Sequence, residues 1–268
     1  MKESLIQSRQ NPKVKFLAGL RKKRDREQHG CFLIEGRKEL ENFLAAGRIL
    51  DELFHCPEFD KKDIGNYWET AKESSEQYYE FSAHAFEKVS ARENPDGWLG
   101  LAKSWKPSID DLQLPKDPLL LVLEGTEKPG NLGAILRTAN AYGVDAVLCN
   151  EPGVDLFNPN VIRTSRGLVF STKIAIATAQ DTIEYLKKHN IAAVATICEG
   201  GQVIWSQDFK GPIAFVMGNE ANGLSPFWQN HADLNVSIPS PGMADSLNLS
   251  TATAVCLYEV LRQRKGNP

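Results

Sequence analysis

The chain has 268 residues, 42% hydrophobic and 24% charged, with a formal net charge of −3. That composition belongs to a globular protein with room for two domains, and it excludes a polycation, so any affinity for nucleic acid must come from local patches. The five cysteines (Cys31, Cys56, Cys149, Cys198 and Cys256) are scattered and never form a Cys-x-x-Cys pair, which argues against a disulfide framework or a zinc site and for a reducing compartment.

Met1-Lys2-Glu3-Ser4 leads into a polar helix, with no signal peptide and no apolar run near the length of a membrane span. The expected location is therefore the cytoplasm. Residues 1–30 carry Arg9, Lys13, Lys15, Arg21, Lys22, Lys23, Arg24 and Arg26 against Glu3, Asp25 and Glu27. Val14, Phe16, Leu17 and Leu20 give the same helix an apolar face. Two readings stay open here: a solvated basic helix, or a phosphate-contacting edge centred on Lys22, Lys23 and Arg24. A strand (Cys31 to Glu35), a helix (Arg37 to Ala46), a strand around Leu53 to His55, a helix (His84 to Lys88) and a strand (Trp98 to Ala102) follow. Together they predict a compact α/β domain over residues 1–105. Tyr78 and Tyr79 read as core and edge packing.

Residues 105–118 read WKPSIDDLQLPKDP, with three prolines and little periodicity. This predicts a linker over 106–118 and a second domain over 119–268. Leu119 to Leu123 is a continuous apolar run bounded by Pro118 and Gly125, as expected of a strand buried on both faces. A glycine-rich loop, a helix (Ala134 to Tyr142) and a strand (Ala146 to Cys149) complete a βαβ unit, whose loop lies at the carboxyl end of the strand where open sheets bind ligands. The loop is neither a phosphate-binding P-loop nor a dinucleotide fingerprint, because no Lys-Ser/Thr and no Gly-x-Gly-x-x-Gly occurs in it. Residues 155–167, reading DLFNPNVIRTSRG, are a polar loop and short helix in which Arg163, Ser165 and Arg166 either line an RNA groove or simply face solvent. Strand and helix then repeat (Lys173 to Ala177, Ile183 to His189, Ala192 to Ile197). The strand Ile213 to Met217 runs into Gly218-Asn219-Glu220-Ala221-Asn222-Gly223, and a strand ending at Ile238 meets a Pro-Ser-Pro-Gly turn. Ser246, Leu247, Asn248 and Ser250 fall on the junction with the last helix, where backbone N–H groups are unpaired.

Three strings in this second half resemble the signatures of the SpoU (TrmH-like) family of RNA ribose 2′-O-methyltransferases. Asn131, Gly133 and Arg137 match the first, Gly218-x-Glu220-x-x-Gly223-Leu224 the second, and Ile238-Pro239 through Ser246-Leu247-Asn248-Leu249-Ser250 to Leu257-Tyr258-Glu259 the third. Ser240 and Leu249 depart from the commonest family residues only at packing level. More loosely, Phe32-Leu33-Ile34-Glu35-Gly36 followed by a helix is similar to the L30e-like substrate-binding domain found ahead of many such catalytic domains.

The resemblance implies a SPOUT α/β domain, a mostly parallel sheet whose C-terminal segment forms a trefoil knot, preceded by the smaller L30e-like domain. It implies S-adenosylmethionine as cofactor, held by Gly218, Ile238 and Leu247 with Thr196 beside them, and no metal. The implied reaction is methyl transfer to a ribose 2′-hydroxyl of RNA. Asn131, Arg137, Glu220, Ser246 and Asn248 form the implied catalytic set, with Arg262 on substrate phosphate. An arginine stays protonated in proteins, so Arg137 reads better as an electrostatic clamp than as a base. The added N-terminal domain favours ribosomal RNA, 23S in particular, over tRNA. A non-catalytic RNA-binding homologue is the alternative from another class. The family also implies a homodimer.

Overall fold

The computed structural model describes residues 4–60, 67–243 and 246–265. They divide into two compact units, Met1–Trp105 with Asp155–Ser171, and Lys106–Val154 with Thr172–Pro268.

The first unit runs β1 (Ser4–Ile6), α1 (Pro12–Gly19), α2 (Lys23–His29), β2 (Cys31–Glu35), α3 (Arg37–Ala45), β3 (Leu50–His55), α4 (Tyr67–Glu73), β4 (Ser75–Phe81), α5 (Ala83–Val89) and β5 (Trp98–Lys103). Its sheet is mixed, in the order β1-β4-β3-β5-β2. β1 and β3 lie parallel to β4, whereas β5 is antiparallel to β2 and β3. Residues 1–3, part of the expected polar start, lie outside the described residues. The expected single basic helix is two. Asn11 caps α1 by accepting from the Lys13 N–H, Pro12 occupies its first turn, and the chain turns at Leu20 before α2, which stops at the left-handed Gly30. Val14, Leu17 and Leu20 bury the apolar face of α1 against Leu33, Phe54, Phe81 and Phe86. Tyr78 is buried and Tyr79 stacks on Phe54 at 5.4 Å, so the tyrosine pair packs as expected.

The second unit contains β6 (Leu119–Glu124), α6 (Pro129–Ala141) and β7 (Ala146–Asn150). The chain then passes through α7 (Pro159–Thr164), which belongs to the first unit. It returns as β8 (Ile174–Ala177), α8 (Ala179–Lys188), β9 (Ala192–Thr196), β10 (Gln202–Val203), β11 (Ile213–Met217), α9 (Pro226–His231), β12 (Leu234–Ser237) and α10 (Leu249–Lys265). The seven strands are all parallel, in the order β10-β12-β9-β11-β6-β7-β8. β7 and β11 are buried along their whole length, and β6 up to Glu124. Helices cover both faces of such a sheet, which is why these strands read as unbroken apolar runs.

The expected linker 106–118 belongs to the second unit, with Ile109, Leu112 and Leu114 packed against its core, and two further boundaries differ from the sequence expectation. Asp155–Ser171 does not stay with the rest of 119–268. Phe157 stacks on the fully buried Phe32 at 4.4 Å, Phe170 meets Phe43 edge-on at 4.9 Å, and Asp155 pairs with buried Arg26 at 2.5 Å. The two phenylalanines complete an aromatic core that local sequence cannot assign. In the same segment Ser165 is fully buried and donates to the Ile162 carbonyl, so it lines no groove. The other shift is in α6, which begins at Pro129 rather than Ala134, because proline is preorganised for the first helical turn. Asn131 and Gly133 therefore lie inside the helix.

Candidate active site

The second unit gathers its three signature strings at the carboxyl ends of β6, β11 and β12. β11 is followed directly by Gly218, where a Cβ would stand 2.3 to 2.5 Å from the backbone of Gly223 and Leu224. Only glycine permits that closeness. Beyond it, Asn219 and Gly223 exchange two backbone hydrogen bonds of 2.9 Å, closing a tight loop whose Gly223 sits at φ 67°. The Asn219 side chain accepts from the Ala221 N–H at 2.7 Å and donates to the Gly125 carbonyl at 2.7 Å. One amide thus staples the second loop to the first. Glu124, the last residue of β6, accepts from the backbone N–H (2.8 Å) and the hydroxyl (2.7 Å) of Ser225, the residue that caps α9. Asn219 and Glu124 were not singled out from the sequence, since both stand at positions the signatures leave open. Asn219 between two strict signature residues was the available signal.

A polar relay joins all three strings. Asn131 donates its amide to Glu220 Oε1 at 2.7 Å, and its own Oδ1 accepts from Asn248 Nδ2 at 3.3 Å. Asn248 Oδ1 in turn accepts from the backbone N–H and hydroxyl of Ser250, at 3.0 and 2.7 Å, capping α10. A carboxylate only accepts, so Glu220 fixes the orientation of the Asn131 amide, and that fixes Asn248. Glu220 Oε2 is buried with no hydrogen-bond partner among the described residues. An unfilled buried acceptor invites a donor from outside the chain.

The relay borders a cavity of about 850 Å³. Thr196, Gly218, Glu220, Ile238, Ser246, Leu247 and Asn248 all line it, as does Lys128, which the sequence reading passed over. Thr196 ends β9, with its hydroxyl 3.8 Å from the Cys256 sulfur. Burial pushes the Cys256 thiol up to about 12, so it is a neutral core group and no nucleophile. Ala244 and Asp245, inside the third string, lie outside the described residues.

Arg137 is placed differently. It is exposed on α6, is not among the cavity lining, and makes no ion pair among the described residues. Six residues of helix separate it from Asn131 by about 9 Å along the axis. Arg262 is exposed and holds Glu259 in a bidentate pair, both bonds at 2.8 Å. That pair draws the Glu259 carboxyl below the usual carboxylate range. Lys22, Lys23, Arg24, Arg163 and Arg166 belong to the first unit, all exposed.

Comparison with known proteins finds relatives along nearly the whole chain. The SpoU rRNA Methylase family model matches residues 118–258, and the MRM3-like substrate binding domain matches residues 11–100. An uncharacterized tRNA/rRNA methyltransferase of Synechocystis sp. is 32% identical over 97% of this chain and 94% of its own length. The 23S rRNA (guanosine-2′-O-)-methyltransferase RlmB of Ralstonia nicotianae is 37% identical over 63% of this chain and 68% of its own. The crystal structure of an AdoMet-bound rRNA methyltransferase from Sinorhizobium meliloti superposes with a TM-score of 0.87 at 28% identity, covering 97% of both chains. With its family match across most of the second unit and a full-length relative above 30% identity, the chain belongs to the SpoU rRNA methylase family.

Proposed function

We propose that this chain transfers a methyl group from S-adenosylmethionine to a ribose 2′-hydroxyl of 23S ribosomal RNA in the cytoplasm. The observation that carries the reading is the Glu220–Asn131–Asn248 relay, which ties all three signature loops to the rim of one cavity. The residues present suit the cofactor. A volume of about 850 Å³ lies in the range of nucleotide-sized sites, and Ile238, Leu247 and Leu249 offer apolar walls among backbone polar groups. Thr196, Gly218, Ile238 and Leu247 hold the cofactor there, with Ser246 hydrogen-bonding beside it, and the threaded C-terminal segment forms the knot that keeps these loops together. The cofactor supplies a methyl group on a sulfonium, which needs no metal.

The chain's own task is to receive the ribose and stabilise negative charge as the hydroxyl loses its proton. Glu220 and Asn248 hold Asn131 in one orientation beside the reacting group. Arg137 acts as an electrostatic clamp on alkoxide and phosphate. Because it stands outside the cavity lining of its own chain, a second copy packed on the α6–α10 face would bring it to the neighbouring cavity. Tyr258 and Val255 of α10 are exposed there, and Tyr142 contacts the Tyr258 ring at 6.5 Å. A homodimer covers these side chains. Lys22, Lys23, Arg24, Arg163, Arg166 and Arg262 supply RNA contacts.

Arg137→Ala tests the assignment. It should cost about 2–4 kcal/mol in the barrier, comparable to removing one preorganised donor, and leave cofactor affinity by calorimetry unchanged. A near-normal single-turnover rate on 23S RNA would remove Arg137 from the mechanism.

A further inference from the structure

The first unit has a cavity of its own, about 650 Å³, walled by the end of β2, the start of α3, residues 91–94 and α7. The charged groups of its floor pair with one another or with neighbouring polar groups. Glu35 accepts from the Ser90 hydroxyl and from the Ala91 N–H at 2.8 Å, while Glu39 pairs with Arg92 at 3.0 Å. Arg92 also donates to the Glu35 carbonyl at 2.5 Å. Each of these three charges is paired, and among their buried polar atoms only Arg92 Nε lacks a hydrogen-bond partner among the described residues.

The mouth is different. Arg163 in the last turn of α7 and Arg166 just beyond its C-cap line it, both exposed. The Arg163 guanidinium bonds only to Asn160 Oδ1 at 3.1 Å, and that of Arg166 has no partner among the described residues. Their backbone is held firmly all the same. Arg166 adopts φ 54°, its carbonyl accepts from Asn42 at 2.7 Å, and Gly167 at φ 78° packs so tightly that a Cβ would meet the Glu39 carbonyl at 2.8 Å. A left-handed arginine is retained only where its surroundings demand it. Two guanidinium forks without an ion-pair partner among the described residues thus stand at one rim, with exposed Glu93 and Asn94 at another. Arginine forks fit phosphate oxygens, and a carboxylate beside an amide fits the donor and acceptor edge of a base.

We propose that this cavity takes one unpaired nucleotide of the RNA substrate, its phosphate on Arg163 and Arg166 and its base edge on Glu93 and Asn94. The proposal rests on the reading of the chain as an RNA methyltransferase. In a duplex the Watson–Crick edge is already paired and the base cannot swing into a pocket, which is why the nucleotide must be unpaired.

The test uses the full chain and an unmethylated 23S ribosomal RNA transcript as probe, with filter binding over a salt series. R163A/R166A should bind about tenfold more weakly, and its log–log salt slope should be shallower by about 1.4, two single-strand phosphate contacts at roughly 0.7 each. R163K/R166K should restore the slope without the full affinity, since it keeps charge and loses the fork. E93Q/N94A should weaken binding with the slope unchanged. Wild-type affinity and slope in R163A/R166A would overturn the proposal, as would a wild type that does not retain the transcript. Calorimetry with S-adenosylmethionine separates the two readings. RNA binding that depends on these four side chains, in a protein without cofactor affinity, would leave the cavity assignment standing and sink methyl transfer. Cofactor affinity with indifferent RNA binding would sink the cavity alone.

Discussion

In the second unit, Asn131, Glu220 and Asn248, one from each signature string, hydrogen-bond to one another. In the first unit, the basic residues that stand out turn inward or pair off. Lys13 binds Glu52 at 2.7 Å and lies 4.2 Å from the Tyr79 ring; Arg9 binds Glu87 at 2.7 Å. Arg21 donates to the carbonyls of Lys88, Val89 and Ser90. Arg26 is 4% exposed and holds Asp155 as well as two carbonyls. Of the described lysines and arginines before Gly30, only Lys15, Lys22, Lys23 and Arg24 keep their charge outward, the last two with loose acidic neighbours at 3.7 and 3.8 Å. Clustering along the chain measures how many charges a segment has, whereas affinity for a polyanion depends on how many reach the surface unpaired.

That contrast can be broken most sharply at Arg26. Replacing it with alanine strands the Asp155 carboxylate, and denaturant unfolding should register a loss of about 3–5 kcal/mol. Arg24→Ala, two residues away, should stay within about 0.5 kcal/mol and show its effect in RNA affinity instead. Comparable losses for the two variants would mean that the cluster is uniform after all.

Gly218→Ala probes the second unit. The added methyl has backbone on its far side and cannot be accommodated by a rotamer change, so about 3 kcal/mol of stability should go. Affinity for S-adenosylmethionine should disappear with it; calorimetry showing normal binding would mean that the loop after β11 does not shape the cavity. Asn131→Ala is milder. It leaves Glu220 without its amide donor, at about 1–3 kcal/mol, and should slow methyl transfer while cofactor affinity holds.

The smallest effect is a pH dependence. Burial pushes the thiols of Cys149 and Cys256 up to about 12 from an ordinary 9.0. The unfolded chain releases these protons above pH 9 while the folded chain keeps them. Their contribution is therefore complete below pH 9 and is lost as pH rises toward 12, which a falling denaturation midpoint would report. At pH 8 a thiol reagent should label Cys198, the one exposed cysteine, and leave the other four.

Much of this molecule was legible in one dimension. A strand covered on both faces has to be apolar throughout, so Leu119 to Leu123 announced itself, and so did the Ile213 to Met217 run ahead of Gly218. The signature residues are close in sequence to the turns that display them, and Glu220, Ser246 and Asn248 accordingly line the cavity, with Asn131 hydrogen-bonded to two of them. The sequence places Pro129 in the loop because the glycines on either side of Asn131 read as a turn, whereas proline's fixed φ starts α6 there.

What remained belongs to long-range packing. Nothing within residues 155–171 says that Phe157 and Phe170 will complete an aromatic cluster around Phe32 and Phe43, since aromatic contacts have no sequence period. Nor does a basic stretch say which of its members will be neutralised, because Glu52, Glu87 and Asp155 come from distant parts of the chain. Apolar periodicity, turn chemistry and the signature strings, all encoded locally, determined the strands, the site loops and the family. The folded chain alone decided which charges stay free, which unit owns α7, and where Arg137 stands, because each depends on partners brought together by packing.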